Sequence, residues 1–206
     1  MTESQKKSFT KIGIIIGVIL FIVFFVYNLF AGNYNKMVSY DESISSAWSQ
    51  VENQYQRRLD LIPNLISTVK SYAAHEKQVF EDIAEARSKV GGIVNIDSSV
   101  LEDEEKFAEY QKIQNQLSSS LQRLLAATEN YPDLKANQNF LALQDELAGT
   151  ENRISTERKR YNDIVKSYNT FIRKFPQNLI ANMNGFEKKP YFEADSSASK
   201  TPVVQF

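Results

Sequence analysis

Cysteine is absent from the 206-residue chain, and histidine occurs at a single position, His75. The missing cysteine excludes disulfides, thiolate metal sites, a cysteine nucleophile and a lipoprotein anchor. One histidine does not supply a metal site built from several histidines of one chain. Glu76 follows His75, but Val79 stands where the zinc-peptidase motif HExxH has its second histidine. We therefore predict no metal and no cofactor, and we interpret His75 as a residue at the edge of a helix.

Neither sign of charge dominates, since 24 Lys and Arg residues stand against 25 Asp and Glu residues, for a net charge of −1. A nucleic-acid-binding domain carries a strongly basic face, which this balance does not provide. The P-loop, the G-x-S-x-G nucleophile motif and the dinucleotide-binding fingerprint are missing as well. The sequence therefore argues against a nucleic-acid partner and offers no recognised catalytic constellation.

A long uncharged segment ends shortly before Lys36. Its apolar part, Ile12 to Phe30, is long enough as a helix to cross a hydrocarbon layer of about 30 Å. A cleaved signal peptide has a shorter apolar segment, of roughly 7–15 residues, and a small-x-small cleavage site. The stretch "LFAGN" at the end of this segment fits such a site poorly. We predict an uncleaved transmembrane helix over 12–32, preceded by a short segment, 1–11.

The lysines near this span are distributed unevenly. Lys6, Lys7 and Lys11 precede the span, whereas Lys36 alone follows it closely. Because lysine and arginine are enriched on the cytoplasmic side of membrane proteins, the N-terminal segment is expected in the cytoplasm. The predicted topology is single-pass, with the C-terminal domain on the non-cytoplasmic side. The lipid bilayer is then a partner of the chain through the N-terminal helix.

Apolar residues recur at three- and four-residue spacing in three runs that follow the span. The runs extend from Ile44 to Val90, from Phe107 to Leu124 and from Phe140 to Phe175. This spacing is typical of helices that pack side by side, as in coiled coils. No stretch of alternating apolar and polar residues is long enough to predict a sheet. The fold class is therefore all-α: a transmembrane helix followed by a helical bundle.

Helix-breaking residues separate these runs at 91–99, at Pro132 and at Pro176, and Asp97, Ser98 or Ser99 is expected to cap the second run. The apolar terminus either folds back on the bundle, which we favour because apolar surface tends to be buried, or adds a strand to a partner. The predicted domains are the segment 1–11, the transmembrane helix 12–32, the bundle 33–176, a C-terminal extension 177–193 that packs on the bundle, and a flexible tail 194–206.

Pro63 lies inside the first run, where two interpretations remain open. Its ring strikes the carbonyl of Leu59, and it has no N–H to donate. One helix could end near Arg58, with Asp60 capping a second helix that has Pro63 in its first turn. Alternatively, one kinked helix continues, because the apolar spacing stays in phase across Pro63.

The chain contains three long motifs: "SAWSQVENQYQRRLDLIPNLISTVKSYAAHE", "YPDLKANQNFLALQDELAGTENRISTERKRYNDIVKSYNTFIRKFP" and "GFEKKPYFEA". Together they resemble the LemA family, and the resemblance spans nearly the whole chain, including the membrane helix. It implies a bacterial inner-membrane protein with an antiparallel, bromodomain-like four-helix bundle and a corner near Asp60 to Pro63. It implies neither an enzymatic activity nor catalytic residues. The shared motif residues are Arg57, Arg58, Asp60, Pro63, Asn64, His75, Glu76, Asn152, Arg160, Tyr161, Asn162 and Asn169.

Arg57 and Arg58 form a pair of adjacent cations, and Arg58 falls on the apolar seam of its run. Glu76 lies on the same seam, and Glu157 lies on the seam of the third run. A buried guanidinium is costly unless its donors are satisfied, and a carboxylate satisfies them best. We interpret Arg58 as part of a buried polar layer that fixes helix register, with an anion or partner site as the alternative.

The third run carries aromatic side chains at helical spacing, with polar side chains beside them. Such a stripe usually belongs to the core. The polar neighbours either satisfy the tyrosine hydroxyls or form a groove for a partner helix or peptide, and the sequence leaves both open. The aromatic residues are Tyr161, Tyr168, Phe171 and Phe175, and the polar ones are Arg160, Asn162 and Asn169.

The combination of an anchor, helical runs and no catalytic motif favours a non-enzymatic scaffold or interaction module at the membrane. Its expected partner is a membrane or envelope protein, or a second copy of the chain. An enzyme that acts on envelope material through dispersed carboxylates is one alternative, and it requires two facing acids with raised pKa values. A membrane-shaping protein is the other alternative.

Overall fold

A computed structural model describes residues 3–73, 76–93 and 98–193 of the chain, and the side chains of 3–12, 91–93 and 98–99 are not described. His75 and the tail 194–206 lie outside the described residues, so the predictions made for them stay predictions. The described residues form helices and irregular segments without a β-strand, which confirms the all-α fold class. The elements are α1 (Glu3–Lys70), α2 (Lys77–Ile93), a short 3₁₀ helix (Ser98–Glu102), α3 (Glu104–Thr128), α4 (Pro132–Lys135), α5 (Gln138–Arg173) and α6 (Gln177–Asn184).

Helix α1 continues through Pro63, so the corner near Asp60 to Pro63 that the family resemblance implied is wrong. Pro63 lies on the exposed face of α1, whereas its neighbours Ile62 and Leu65 are buried. The proline therefore sits where a displaced backbone carbonyl can face solvent. An uninterrupted helix keeps the buried residues before and after Pro63 on one face, as the phase of the apolar spacing predicted.

Side chains and backbone geometry mark several helix ends. The Asp103 carboxylate accepts the backbone N–H groups of the first turn of α3 at 3.0 Å, and the Asn137 side chain accepts two N–H groups at the start of α5. Asp103 therefore fills the capping position that the sequence placed at 97–99, because a 3₁₀ helix intervenes. Gly185, with φ of 74°, ends α6 in the left-handed conformation that favours glycine.

The described chain divides into two compact units. The first unit contains the described residues of 1–42 together with 168–187, and the second contains 43–167 together with 188–193. The domain limits that the sequence placed after residues 32 and 176 stay predictions.

The second unit has an apolar core to which all of its long helices contribute. Helices α1, α2 and α3 present core residues three or four positions apart, and α5 presents two that are seven apart, which places them on one face of each helix. The antiparallel, bromodomain-like order of the helices stays a prediction. The core residues are Leu59, Ile62, Leu65, Val69 and Ala73; Ile83, Ala86 and Val90 from α2; Leu117, Leu121 and Leu124 from α3; Leu134 from α4; and Phe140 and Leu147 from α5.

The first unit combines an uncovered apolar helix with a small packed region. The large apolar side chains from Ile14 to Tyr27 are 46–68% exposed, on every side of α1. Further along α1, the Tyr40 ring contacts the Phe171 ring with centroids 5.5 Å apart. Lys36 Nζ lies 5.0 Å from the centroid of the Phe171 ring. Among the described residues, α1 is the helix that is long and apolar enough to cross a membrane.

Candidate functional site

Arg58 is the largest polar side chain in the interior of the second unit, and 1% of it is exposed. Its Nη1 donates to Ser118 Oγ at 2.5 Å and to Glu151 Oε1 at 2.9 Å. Its Nη2 donates to the side-chain oxygen of Gln114. Because these partners lie on α3 and α5, the guanidinium joins three helices. We call these four residues the Arg58 layer.

Two features reduce the cost of burying this cation. The Glu151 side chain is 37% exposed, so the carboxylate keeps part of its hydration while it neutralises Arg58. The Arg58 guanidinium carbon also lies 5.1 Å from the centroid of the Tyr55 ring, within range of a cation–π interaction. The layer is therefore built to hold a charge between helices, which is what a register-fixing role requires.

The acid that pairs with Arg58 is Glu151, rather than the Glu76 or Glu157 that the sequence suggested. Glu151 follows the core residue Leu147 by four positions and precedes Ile154 by three, so it borders the buried face of α5. A glutamate at the border of the seam reaches inward while its outer oxygen faces solvent. The position of Glu151 at the border of the apolar seam is the sequence feature that could have identified it as the partner of Arg58.

Glu76 and Glu157 have other partners. The half-buried Glu76 accepts a hydrogen bond from the Tyr131 hydroxyl at 2.9 Å, and this bond raises the pKa of Tyr131. Glu157 is also half-buried, and Arg160 Nη1 lies 3.8 Å from one of its carboxylate oxygens. Glu76 therefore contacts Tyr131, and Glu157 contacts Arg160. Neither acid belongs to the Arg58 layer, and the two do not form an acidic pair.

Most of the other residues of the family motifs lie on helix surfaces. The exposed Arg57 pairs with Glu146 at 2.7 Å, and Asp60 accepts a hydrogen bond from Gln56 at 2.9 Å. Pro63, Asn64 and Asn152 are exposed, and Arg160 is exposed beside Glu157, whereas Asn169 is buried in the first unit. The paired arginines thus differ in environment, since Arg57 is on the surface and Arg58 is inside.

An irregular segment, 188–193, is bound between α3 and α5, and we call it the strap. Asn162 Nδ2 donates to the Phe192 carbonyl at 2.8 Å, and the Phe192 N–H donates to Asn162 Oδ1 at 2.9 Å. Gln111 makes the same two-bond arrangement with the Glu193 backbone, at 2.5 and 3.1 Å. Two side-chain amides, one from each helix, therefore replace the backbone partners that a sheet would supply.

The Phe192 side chain anchors the strap in an aromatic cluster, with 8% of it exposed. Its ring lies 5.9 Å from Trp48 with an interplanar angle of 15°, 4.9 Å from Phe107 and 5.3 Å from Tyr161. The Arg158 guanidinium carbon is 4.5 Å from the same ring. The cluster closes one end of the second unit with large apolar side chains.

Tyr161 is a core residue, and Asn162 is a strap ligand. The buried Tyr161 hydroxyl donates to the Pro190 carbonyl at 3.2 Å, and burial raises its pKa. The strap backbone, rather than a flanking side chain, therefore satisfies this hydroxyl. Gln111, Glu151, Arg158 and Phe192 make contacts in the Arg58 layer and around the strap that were not predicted from the sequence.

An open groove of about 490 Å³ runs along α5 beside the strap. It carries two cations and three acids together with apolar and amide groups, a mixture suited to a protein surface or a peptide. Glu151 belongs to both this groove and the Arg58 layer, and Asn162 belongs to both the groove and the strap contacts. The lining residues are Glu151, Ile154, Ser155, Arg158, Lys159, Asn162, Asp163, Phe192 and Glu193.

A smaller cavity of about 140 Å³ contains the half-buried Glu52. Burial raises the pKa of Glu52, and a hydrogen bond from Trp48 partly opposes that shift. Glu52 is the one acid among the described residues that line this cavity. Among the described residues, this cavity therefore does not supply the facing acidic pair that the alternative of an enzyme with dispersed carboxylates requires.

Replacing Glu52 with glutamine should stabilise the fold at pH 7 and have a much smaller effect at pH 4. The folded-state pKa exceeds the unfolded value, so the carboxyl favours folding below the unfolded pKa, near 4.3, and loses that contribution as the pH rises through the folded pKa. Since Glu52 is half exposed, we expect a gain below about 1 kcal/mol. Urea unfolding in detergent, followed by circular dichroism at both pH values, measures it. The exposed Glu109→Gln is the control, and an equal gain at both pH values would contradict the expectation.

The LemA family model matches residues 47–206, which include the Arg58 layer, the strap and the groove. Magnetosome protein MamQ 2 of Paramagnetospirillum magneticum is 28% identical over 204 residues, covering 90% of this chain and 73% of that protein. Magnetosome protein MamQ of Magnetospirillum gryphiswaldense is 26% identical over 189 residues, covering 83% and 68%. Protein LemA of Metamycoplasma hominis is 26% identical over 167 residues, covering 78% and 72%.

Proposed function

Because the chain belongs to the LemA family, we propose that it is a single-pass bacterial membrane protein whose second unit is a non-enzymatic interaction module or scaffold. The observation that carries the membrane part is the exposure of the apolar side chains from Ile14 to Tyr27 on every side of α1. A helix that is apolar all round belongs either in a protein core or in lipid, and the described residues leave this one uncovered.

Polar groups in and next to this span are compatible with lipid. The Asn28 side chain donates to the Phe24 carbonyl at 2.7 Å, and the Asn33 side chain donates to the Leu29 carbonyl at 2.7 Å. Each amide thus satisfies a donor within its own helix, which lowers the cost of placing it in or near hydrocarbon. The span also exceeds the roughly 7–15 apolar residues of a signal peptide, which supports an anchor that is retained.

The groove beside the strap supports the interaction role. It offers charged, amide and apolar groups over about 490 Å³ of open space, without burying any single charge deeply. Such a surface suits a membrane or envelope protein, or a second copy of the chain. The Arg58 layer and the strap would hold the helices that form the groove in a fixed arrangement, so the surface would be preorganised for binding.

Protease added to intact spheroplasts should digest residues 43–193 and spare the N-terminal segment. The three lysines before the span place that segment in the cytoplasm by the positive-inside rule. Immunoblots with an N-terminal tag, after carbonate washing of the membranes, measure both anchorage and topology. A cytoplasmic marker protein controls for lysis. Full protection of the tagged chain would indicate the opposite orientation. Release of the tagged chain into the carbonate wash would show that the chain is not anchored in the membrane.

A further inference from the structure

Helix α6 carries an apolar face that the described residues leave exposed. Leu179 and Met183 are 50% and 74% exposed, and their four-residue spacing places them on the same side of the helix. Phe175, two residues before α6 begins, is 80% exposed. Ile180 and Ala181, which point in other directions around the helix, are buried. The helix therefore has apolar residues packed in the first unit and further apolar residues that face outward.

Both ends of α6 are held against α1 immediately beyond the apolar span. Gln177 Nε2 donates to Asn33 Oδ1 at 3.1 Å, and the Phe186 ring meets Tyr34 edge-on with centroids 5.7 Å apart. Asn33 follows Phe30, near the end of the apolar run, by three residues, which is about 4.5 Å along a helix axis. The outward face of α6 thus lies at the level where hydrocarbon would give way to headgroups.

The residues around this level have the composition of a membrane interface. Tyr27, Phe30 and Tyr34 are 68%, 39% and 42% exposed, and aromatic side chains are enriched where hydrocarbon meets water. Arg173 and Lys174 are exposed just before α6, and Glu187 follows it, so the segment 168–187 has one net positive charge. That balance suits a surface that contains anionic lipids.

We propose that α6 is an interfacial helix, with Phe175, Leu179 and Met183 inserted into the boundary of the bilayer that α1 crosses. The inference rests on the proposed anchor, since the bilayer position is defined by the span. The area of a patch formed by three side chains is well below the roughly 1,000 Å² that a specific protein interface buries. An interfacial helix needs less area, because it is already tethered and buries its apolar face only about 5–10 Å deep.

The test exploits the absence of cysteine from the chain. Full-length variants with one cysteine each, at Leu179, Met183, Asn184 or Val23, are labelled with the fluorophore NBD. They are reconstituted in vesicles of phosphatidylethanolamine and phosphatidylglycerol. Lipids brominated near the glycerol end, lipids brominated near the chain end, and aqueous iodide are the quenchers. Asn184, exposed on another side of the same helix, is the matched control, and Val23 reports on the span.

Labels at Leu179 and Met183 should be quenched by the shallow brominated lipids at least about twofold more than the Asn184 label, and less by iodide. The Val23 label should respond to the deeply brominated lipids. A deep Val23 label with iodide-accessible labels at Leu179 and Met183 would overturn the interfacial helix and keep the anchor. A water-accessible Val23 label would overturn the anchor itself. Shielding of Leu179 and Met183 from all three quenchers would indicate a protein contact and would also overturn the inference.

Discussion

Replacing Arg58 with alanine should lower the free energy of unfolding by about 3 kcal/mol. The substitution removes the donor for Gln114, Ser118 and Glu151 and leaves space where a buried guanidinium had been. Breaking a buried ion pair costs roughly 3–5 kcal/mol, and the partial exposure of Glu151 places this case at the low end. Urea titration of the detergent-solubilised chain, followed by far-ultraviolet circular dichroism, measures the change.

The adjacent Arg57 provides a matched control for this experiment. Arg57 and Glu146 are 50% and 42% exposed, so Arg57→Ala should cost below about 1 kcal/mol. Arg58→Met keeps most of the side-chain volume and should retain helicity and membrane insertion, with a smaller loss than Arg58→Ala. Equal effects of Arg57→Ala and Arg58→Ala would contradict the buried layer. Gross unfolding of Arg58→Met would mean that the arginine does more than fix helix register.

Replacing Phe192 with alanine should release the strap and lower the free energy of unfolding by about 2–4 kcal/mol. The ring fills the space among Trp48, Phe107 and Tyr161, and alanine leaves that space open. We expect less than a fully central phenylalanine would give, because an irregular strap can detach locally. Trp48 is the chain's one tryptophan, so its emission should shift to longer wavelength and become more accessible to acrylamide.

Tyr191 is the control for the strap, because it lies in the same segment with its side chain 40% exposed. Tyr191→Ala should leave the emission of Trp48 unchanged and cost below about 1 kcal/mol. If Phe192→Ala and Tyr191→Ala gave the same emission spectrum, Phe192 would not be the anchor of the strap.

Most of the helical segments and the apolar segment could be predicted because their signals are repeated many times along the chain. The break between Lys70 and Lys77 was not predicted, because the apolar spacing of the first run continues across it. Each run carries several apolar residues at helical spacing, and the span has no charge for the length of a membrane crossing. At Pro63 the phase of that spacing was the better guide than the family resemblance. A proline on the exposed face displaces a carbonyl toward solvent and does not require the helix to end there.

The sequence indicated that Arg58 is buried with a polar partner, but it did not identify that partner. The position of Arg58 on the apolar seam indicated burial and therefore a buried partner. The choice of Glu151 over Glu157 depends on how α5 is rotated against α1, and two glutamates less than two turns apart do not encode that rotation.

The specific contacts of the strap could not be predicted, because the segment has no periodicity. The sequence indicated only an extension over 177–193 that packs on the bundle. Asn162 and Gln111 bind the backbone of the strap, and backbone groups are the same in every sequence. Phe192 is one aromatic residue in an irregular segment, and its burial depends on the cavity formed by other helices. Site-level contacts of this kind follow from tertiary packing rather than from local pattern.

Photocrosslinking in native membranes tests most directly whether the second unit is an interaction module. A photoreactive amino acid replaces Lys159 in the groove of the full-length chain, and the exposed Ser119 on α3 is the control position. We expect a crosslinked product of one defined mass from position 159, either with a membrane or envelope protein or with a second copy, and little product from position 119. Monomer alone at position 159, or the same pattern of products at both positions, would contradict it.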